Sequence, residues 1–112
     1  MKNRCWWIAV ALFALVLPAR GADVIPRFDV PEHCETVASF GGTHSAMMEE
    51  QCMKMEQAEY DALKPRWPEL PASVKEHCLQ VAGFGGQPSY MMLNQCVKME
   101  LDAASAGTEF KF

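Results

Sequence analysis

Apolar positions recur at helical spacing in two stretches of the chain, each divided by a pair of glycines. Those of the first stretch are Cys34, Val37 and Ala38 before the glycines, and Met48, Cys52 and Met55 after them. Spacings of i, i+3, i+4 and of i, i+4, i+7 each place such residues on one face of an α-helix. Each stretch is therefore predicted to form two antiparallel helices joined by a glycine turn.

The two stretches are copies of one another. Residues 33–56 and 77–100, at an offset of 44, are identical at fifteen of 24 positions. The shared pattern is HCxxVAxFGGxxSxMMxxQCxKME. A period of this length indicates a duplicated supersecondary unit. Because one thin hairpin cannot bury its own apolar face, the two hairpins are predicted to pack together about a pseudo-twofold axis.

Capping residues and prolines set the predicted limits of the hairpins. Asp29 and Ser73 each precede a glutamate by three residues, which is the capping-box spacing at a helix start. Ser45 and Ser89 follow the glycines and are predicted to begin the second helices. The predicted segments are a signal peptide over 1–21, a loose N-terminal segment over 22–28, hairpin 1 over 29–63, a Pro-rich linker over 64–72, hairpin 2 over 73–104 and a loose tail over 105–112.

The first residues resemble an export signal. A basic start, an apolar run from Trp6 to Leu17 and the small-x-small sequence ending at Gly21 are typical of a secretory signal peptide cleaved there. The run has 12 residues, fewer than the roughly 20 that a membrane-spanning helix needs. The protein is therefore predicted to be exported, periplasmic or secreted, with no membrane anchor after cleavage.

Cleavage would leave an acidic protein. Of the ten basic residues, Lys2, Arg4 and Arg20 would be removed, whereas all fourteen acidic residues would remain, so the net charge would change from −4 to 7 − 14 = −7. Such a surface repels phosphate backbones, which argues against nucleic-acid binding.

Four cysteines would remain: Cys34, Cys52, Cys78 and Cys96. An even number in a small exported chain indicates disulfides, and four cysteines allow three pairings. The members of each copy's pair are symmetric about its glycine turn, so Cys34–Cys52 and Cys78–Cys96 are predicted. The bridges are predicted to be structural, because neither has the C-x-x-C spacing of redox-active dithiols. The fold class predicted is all-α: two tandem disulfide-stapled antiparallel helical hairpins packed as a small four-helix arrangement.

The shared pattern resembles a motif of small, uncharacterised bacterial exported proteins, which pair a Cys-containing helix, a Gly-Gly-x-Ser-type turn and a second Cys-containing helix. The resemblance covers roughly residues 31–58 and 75–102. It implies an extracytoplasmic, disulfide-bonded helical module and carries no known activity.

Methionine is the most unusual part of the composition. Seven of the eight methionines lie in the predicted second helices: Met47, Met48, Met53, Met55, Met91, Met92 and Met99. Those that flank the disulfides at core spacing, Met48, Met55, Met92 and Met99, are predicted to be buried. Met47 and Met91 lie about 100° round the helix. Together with Gln51 and Gln95 they are candidates for a surface that faces a protein partner.

Two further residue sets have alternative interpretations. His33 and His77 directly precede the first cysteine of each copy. They are either first-turn histidines, on the helix surface or packed at the hairpin seam, or a ligand pair brought together by the pseudo-twofold axis. Because thioethers and imidazoles suit Cu(I), the alternative function is a periplasmic copper-binding protein that uses Met and His, with ligands His33, His77, Met47 and Met91.

The acidic residues Glu49, Glu50, Glu56, Glu59 and Asp61 are predicted to form a solvated face.

The leading hypothesis is a small exported, non-enzymatic helical module with a protein-interaction or structural role and no cofactor. No Ser/His/Asp arrangement, phosphate-binding loop or acid–base pair is apparent, so no catalytic residue is predicted. A thiol–disulfide enzyme is the third interpretation.

Overall fold

Four α-helices form the part of the chain that the structure, a computed structural model, describes: residues 24–107 and 109–112. The helices are α1 (Val30–Ala38), α2 (Ala46–Leu63), α3 (Ala72–Ala82) and α4 (Tyr90–Ala106), with a 3₁₀ helix at Trp67–Glu69 and no strand within these residues. The predicted all-α fold of two packed hairpins is confirmed. The predicted signal peptide lies outside the described residues, and none of the described helices is long and apolar enough to cross a membrane.

Side-chain caps begin three of the four helices. Asp29 Oδ1 accepts a hydrogen bond from the Glu32 amide at 3.1 Å, and the hydroxyls of Ser45 and Ser89 cap α2 and α4 in the same way. Each cap satisfies a backbone N–H that has no partner within the helix.

The start of α3 differs from the prediction. Pro71, not Ser73, is the N-cap, and its carbonyl accepts hydrogen bonds from the amides of Val74 and Lys75 at 3.1 Å each. Proline has the φ that a helix start requires, so α3 begins at Ala72 without a side-chain cap.

A disulfide joins the two helices of each hairpin. Cys34–Cys52 links α1 to α2 and Cys78–Cys96 links α3 to α4, both with Cα atoms 5.5 Å apart, so the predicted pairing is confirmed. Ala38, beside the first bridge, is fully buried, and a larger side chain there would push the helices apart. The turn of the first hairpin depends on glycine, since Gly41 and Gly42 both have φ of +97°.

The hairpins pack through α2 and α4. The shared core includes Leu63, Leu93 and Val97, which are fully buried, and Trp67 and Leu70 from the linker. The 3₁₀ helix of the linker therefore contributes to the core as well as connecting the hairpins.

Residues 25–28, before α1, pack on the second hairpin, so the prediction of a loose segment over 22–28 does not hold for them. Ile25 is buried, and the Phe28 ring stacks on Tyr90 with centroids 4.5 Å apart. The Tyr90 hydroxyl donates to the Pro26 carbonyl at 2.7 Å and accepts from the Phe28 amide at 2.9 Å. Burial raises the pKa of this hydroxyl above its usual value.

The contact between the hairpins is asymmetric, so the predicted pseudo-twofold axis is wrong. On α4 the contacting residues are Tyr90, Leu93 and Val97, whose equivalents on α2 are Ala46, Glu49 and Met53. None of those three equivalents is buried. On α2 the contacting residues are Glu56, Tyr60 and Leu63, whose equivalents on α4 are Glu100, Ala104 and Gly107. The two copies have thus diverged into complementary halves of one interface.

Candidate functional site

Glu56 lies at the junction between the hairpins and is only 2% exposed. Its carboxylate accepts hydrogen bonds from the Ser89 hydroxyl at 2.5 Å, the Tyr90 amide at 2.6 Å and the Met91 amide at 3.4 Å. A carboxylate at a helix N-terminus also interacts favourably with the helix dipole. Glu56 of the first hairpin therefore caps α4 of the second, and its assignment to a solvated face is wrong.

The equivalent glutamate of the second hairpin has a different environment. Glu100 Oε1 lies 3.3 Å from His77 Nε2 within its own hairpin, and both side chains are about half exposed. His33 Nε2 lies 3.9 Å from Glu56 Oε1, a separation longer than a hydrogen bond. The two histidines are thus placed beside the glutamates of their own hairpins, and each lines a separate pocket.

A pocket of about 260 Å³ lies over the first disulfide. Its lining residues are His33, Val37, Met47, Met48, Gln51, Cys52, Met55, Glu56 and Met91. Met91 is the one member that comes from the second hairpin. We call this the first methionine pocket.

The second hairpin has the equivalent pocket, of about 320 Å³, over its own disulfide. Its lining residues are His77, Val81, Met92, Gln95, Cys96, Met99 and Glu100, each at an offset of 44 from a member of the first pocket. We call this the second methionine pocket.

The methionines that flank the disulfides are exposed, so their predicted burial is wrong. Met48 and Met55 are 41% and 50% exposed, and Met92 and Met99 are 44% and 69% exposed. Cysteine and alanine already fill the narrow space between the helices of each hairpin. The hairpins then pack through the Tyr60–Leu63 side of α2, which leaves the methionine side facing solvent.

The four partner-facing candidates divide unequally between the pockets. Met47, Gln51 and Met91 line the first methionine pocket, and Gln95 lines the second. Of the four ligands proposed for the copper alternative, His33, Met47 and Met91 are brought to one pocket, whereas His77 lines the other.

A third cavity joins the two methionine pockets across the junction of the hairpins. This groove of about 630 Å³ shares His33, Val37 and Met48 with the first pocket and Met92 with the second. Phe40 and Phe84, which directly precede the glycine turns, also line it and are 87% and 89% exposed. We call it the inter-turn groove.

Sequence reasoning missed both the two phenylalanines and the capping role of Glu56. The signal for the phenylalanines was present, because both copies place Phe directly before Gly-Gly, and a solvated turn gives no reason for a large apolar residue. For Glu56 there was no signal within the repeat, because the residues that precede it also precede Glu100.

The described residues contain no group of three or more His, Cys, Asp or Glu side chains placed to hold a metal ion. The polar side chains that line the two methionine pockets are one histidine, one glutamate and one glutamine in each.

Because both cysteine pairs are oxidised, the protein belongs to an oxidising environment. Comparisons with protein-family models, with curated proteins and with solved structures find no match to this chain.

Proposed function

We propose that the protein is a small exported, non-enzymatic helical module that binds a segment of a partner protein in the inter-turn groove. The observation that carries this proposal is the pair of equivalent phenylalanines, Phe40 and Phe84, both almost fully exposed on one groove. Contiguous apolar side chains on a small soluble domain mark interaction surfaces. The predicted signal peptide and the two disulfides support export.

The composition of the groove indicates the chemistry of the segment. Met48 and Met92 line the groove and can adapt to differently shaped apolar side chains, since methionine has three rotatable bonds and a polarisable sulfur. With a net charge of −7 after the predicted cleavage, the protein attracts basic sequences. The partner segment is therefore one with apolar anchors and basic flanks.

The disulfides favour binding by a rigid surface. Each glycine turn, with its phenylalanine, is held by a bridge about two helical turns away. A groove that is already formed in the free protein loses less conformational entropy on binding.

Selection from a displayed library of random peptides tests this proposal. We expect enriched peptides to carry apolar anchors and basic flanks. The double variant Phe40→Ser, Phe84→Ser should bind them at least about tenfold more weakly, because burial of one phenylalanine is worth about 1.5–3 kcal/mol and a tenfold change in affinity is 1.4 kcal/mol.

The tail offers a matched control. Phe110 and Phe112 are also highly exposed but do not line the groove, so Phe110→Ser with Phe112→Ser should leave the affinity unchanged. Equal losses in both double variants would show non-specific adsorption and exclude the inter-turn groove as the site.

A further inference from the structure

We infer that the first methionine pocket is a binding site for a single Cu(I) ion, with ligands drawn from His33, Met47, Met48, Met55 and Met91. The pocket shares His33 and Met48 with the inter-turn groove. The inference nevertheless does not depend on the binding of a partner, because Phe40 and Phe84, on which that proposal rests, do not line this pocket. It also differs from the ligand set expected from the sequence, in which the histidines of both copies took part.

The ligand set identifies the metal. One histidine and four methionines line one small cavity, and soft sulfur ligands with imidazole select Cu(I). Zinc sites are typically built from thiolates, imidazoles and carboxylates, and magnesium and calcium require oxygen ligands. Both thiol pairs are consumed in disulfides, so the thioethers are the soft ligands available at this pocket.

The charges around the pocket suit a monovalent cation. The thioethers and a neutral imidazole carry no charge, and Glu56 is the one acidic side chain in the lining. Its carboxylate already accepts hydrogen bonds from α4, so it acts as a nearby counter-charge and not as a ligand. His33 Nε2 is 3.9 Å from that carboxylate, beyond hydrogen-bond distance, and can turn toward a metal.

Comparison of the two pockets shows why only the first has enough soft ligands for a Cu(I) site. The equivalent of Met47 in the second hairpin is Met91, and Met91 lines the first pocket instead of the second. The second pocket therefore has His77, Met92 and Met99 alone, and its imidazole lies 3.3 Å from Glu100. The asymmetric packing of two similar hairpins thus gathers five soft ligands at one pocket and leaves three at the other.

Copper binding can be measured on the oxidised mature protein without a reductant. Cu(I) is supplied anaerobically as its acetonitrile complex, and the protein competes for it with the chelator bicinchoninate. We expect native mass spectra to show one retained copper ion and both disulfides intact, and X-ray absorption to show sulfur and nitrogen neighbours.

Paired variants make the assignment specific. Met47→Leu with Met91→Leu should weaken Cu(I) binding at least tenfold, whereas Met92→Leu with Met99→Leu, the control in the second hairpin, should leave it unchanged. Leucine has a similar volume, so both variants should keep the wild-type Tm. The inference would be overturned if the wild type failed to retain copper or held two ions equally. It would also be overturned if both variants lost the same Cu(I) affinity. Peptide binding measured without copper tests the partner proposal separately.

Discussion

Replacing Glu56 by alanine is expected to lower the free energy of unfolding by about 3 kcal/mol. The substitution leaves the Ser89 hydroxyl and the Tyr90 amide without their acceptor inside the protein, and an unsatisfied buried polar group costs about 1–3 kcal/mol. It also removes a negative charge from the N-terminus of α4, where the favourable interaction is worth up to about 2 kcal/mol. Urea unfolding followed by the fluorescence of buried Trp67 measures the loss.

Glu100→Ala is the matched control for this prediction. The same Gln-Cys-x-Lys-Met pattern precedes both glutamates, yet Glu100 is half exposed and lies beside His77. A surface substitution of this kind changes stability by no more than about 0.5 kcal/mol. Glu56→Gln, which keeps an acceptor oxygen but not the charge, should lose less stability than Glu56→Ala. Equal effects at positions 56 and 100 would contradict the asymmetric packing.

Removal of either disulfide is expected to destabilise the protein by about 2–4 kcal/mol. Each bridge joins cysteines 18 residues apart, and its loss frees the unfolded chain to adopt many more conformations. Cys78→Ala with Cys96→Ala should have the larger effect, because both residues belong to the core shared by the hairpins. Cys52 of the first bridge is only partly buried and lines the first methionine pocket.

Thermal unfolding of the two double variants checks this prediction. Intact-mass measurement of the wild type serves as its control, since two bridges place the mass about 4 Da below that of the fully reduced chain. An unchanged Tm in either double variant would mean that the corresponding bridge does not stabilise the fold.

The hairpins were predictable because the signals for them are local. Glycine pairs mark the turns, serine caps mark the helix starts, and the cysteines are symmetric about each turn. The packing of one hairpin on the other was not predictable in the same way. It depends on positions where the copies differ, such as Tyr90 and its equivalent Ala46. The repeat pattern contains only the positions where the copies are identical.

The environment of the methionines was mispredicted for a related reason. Helical spacing places Met48, Cys52 and Met55 on one side of α2 but does not say whether that side meets the other hairpin. The answer depends on Tyr60 and Leu63, which pack on the second hairpin. That packing also brings Met91 to the first pocket, a contact between helices of different hairpins that periodicity within one helix cannot predict.

The most direct measurement is an NMR titration of methionine methyl groups with Cu(I), because it reports on each pocket separately. At one equivalent of Cu(I), the signals of Met47, Met48, Met55 and Met91 should shift together, while that of Met99 stays in place. This result would show that the second hairpin completes the pocket of the first. A shift of the Met91 signal together with those of Met92 and Met99, or no shift of any methionine signal, would contradict a copper site in the first methionine pocket.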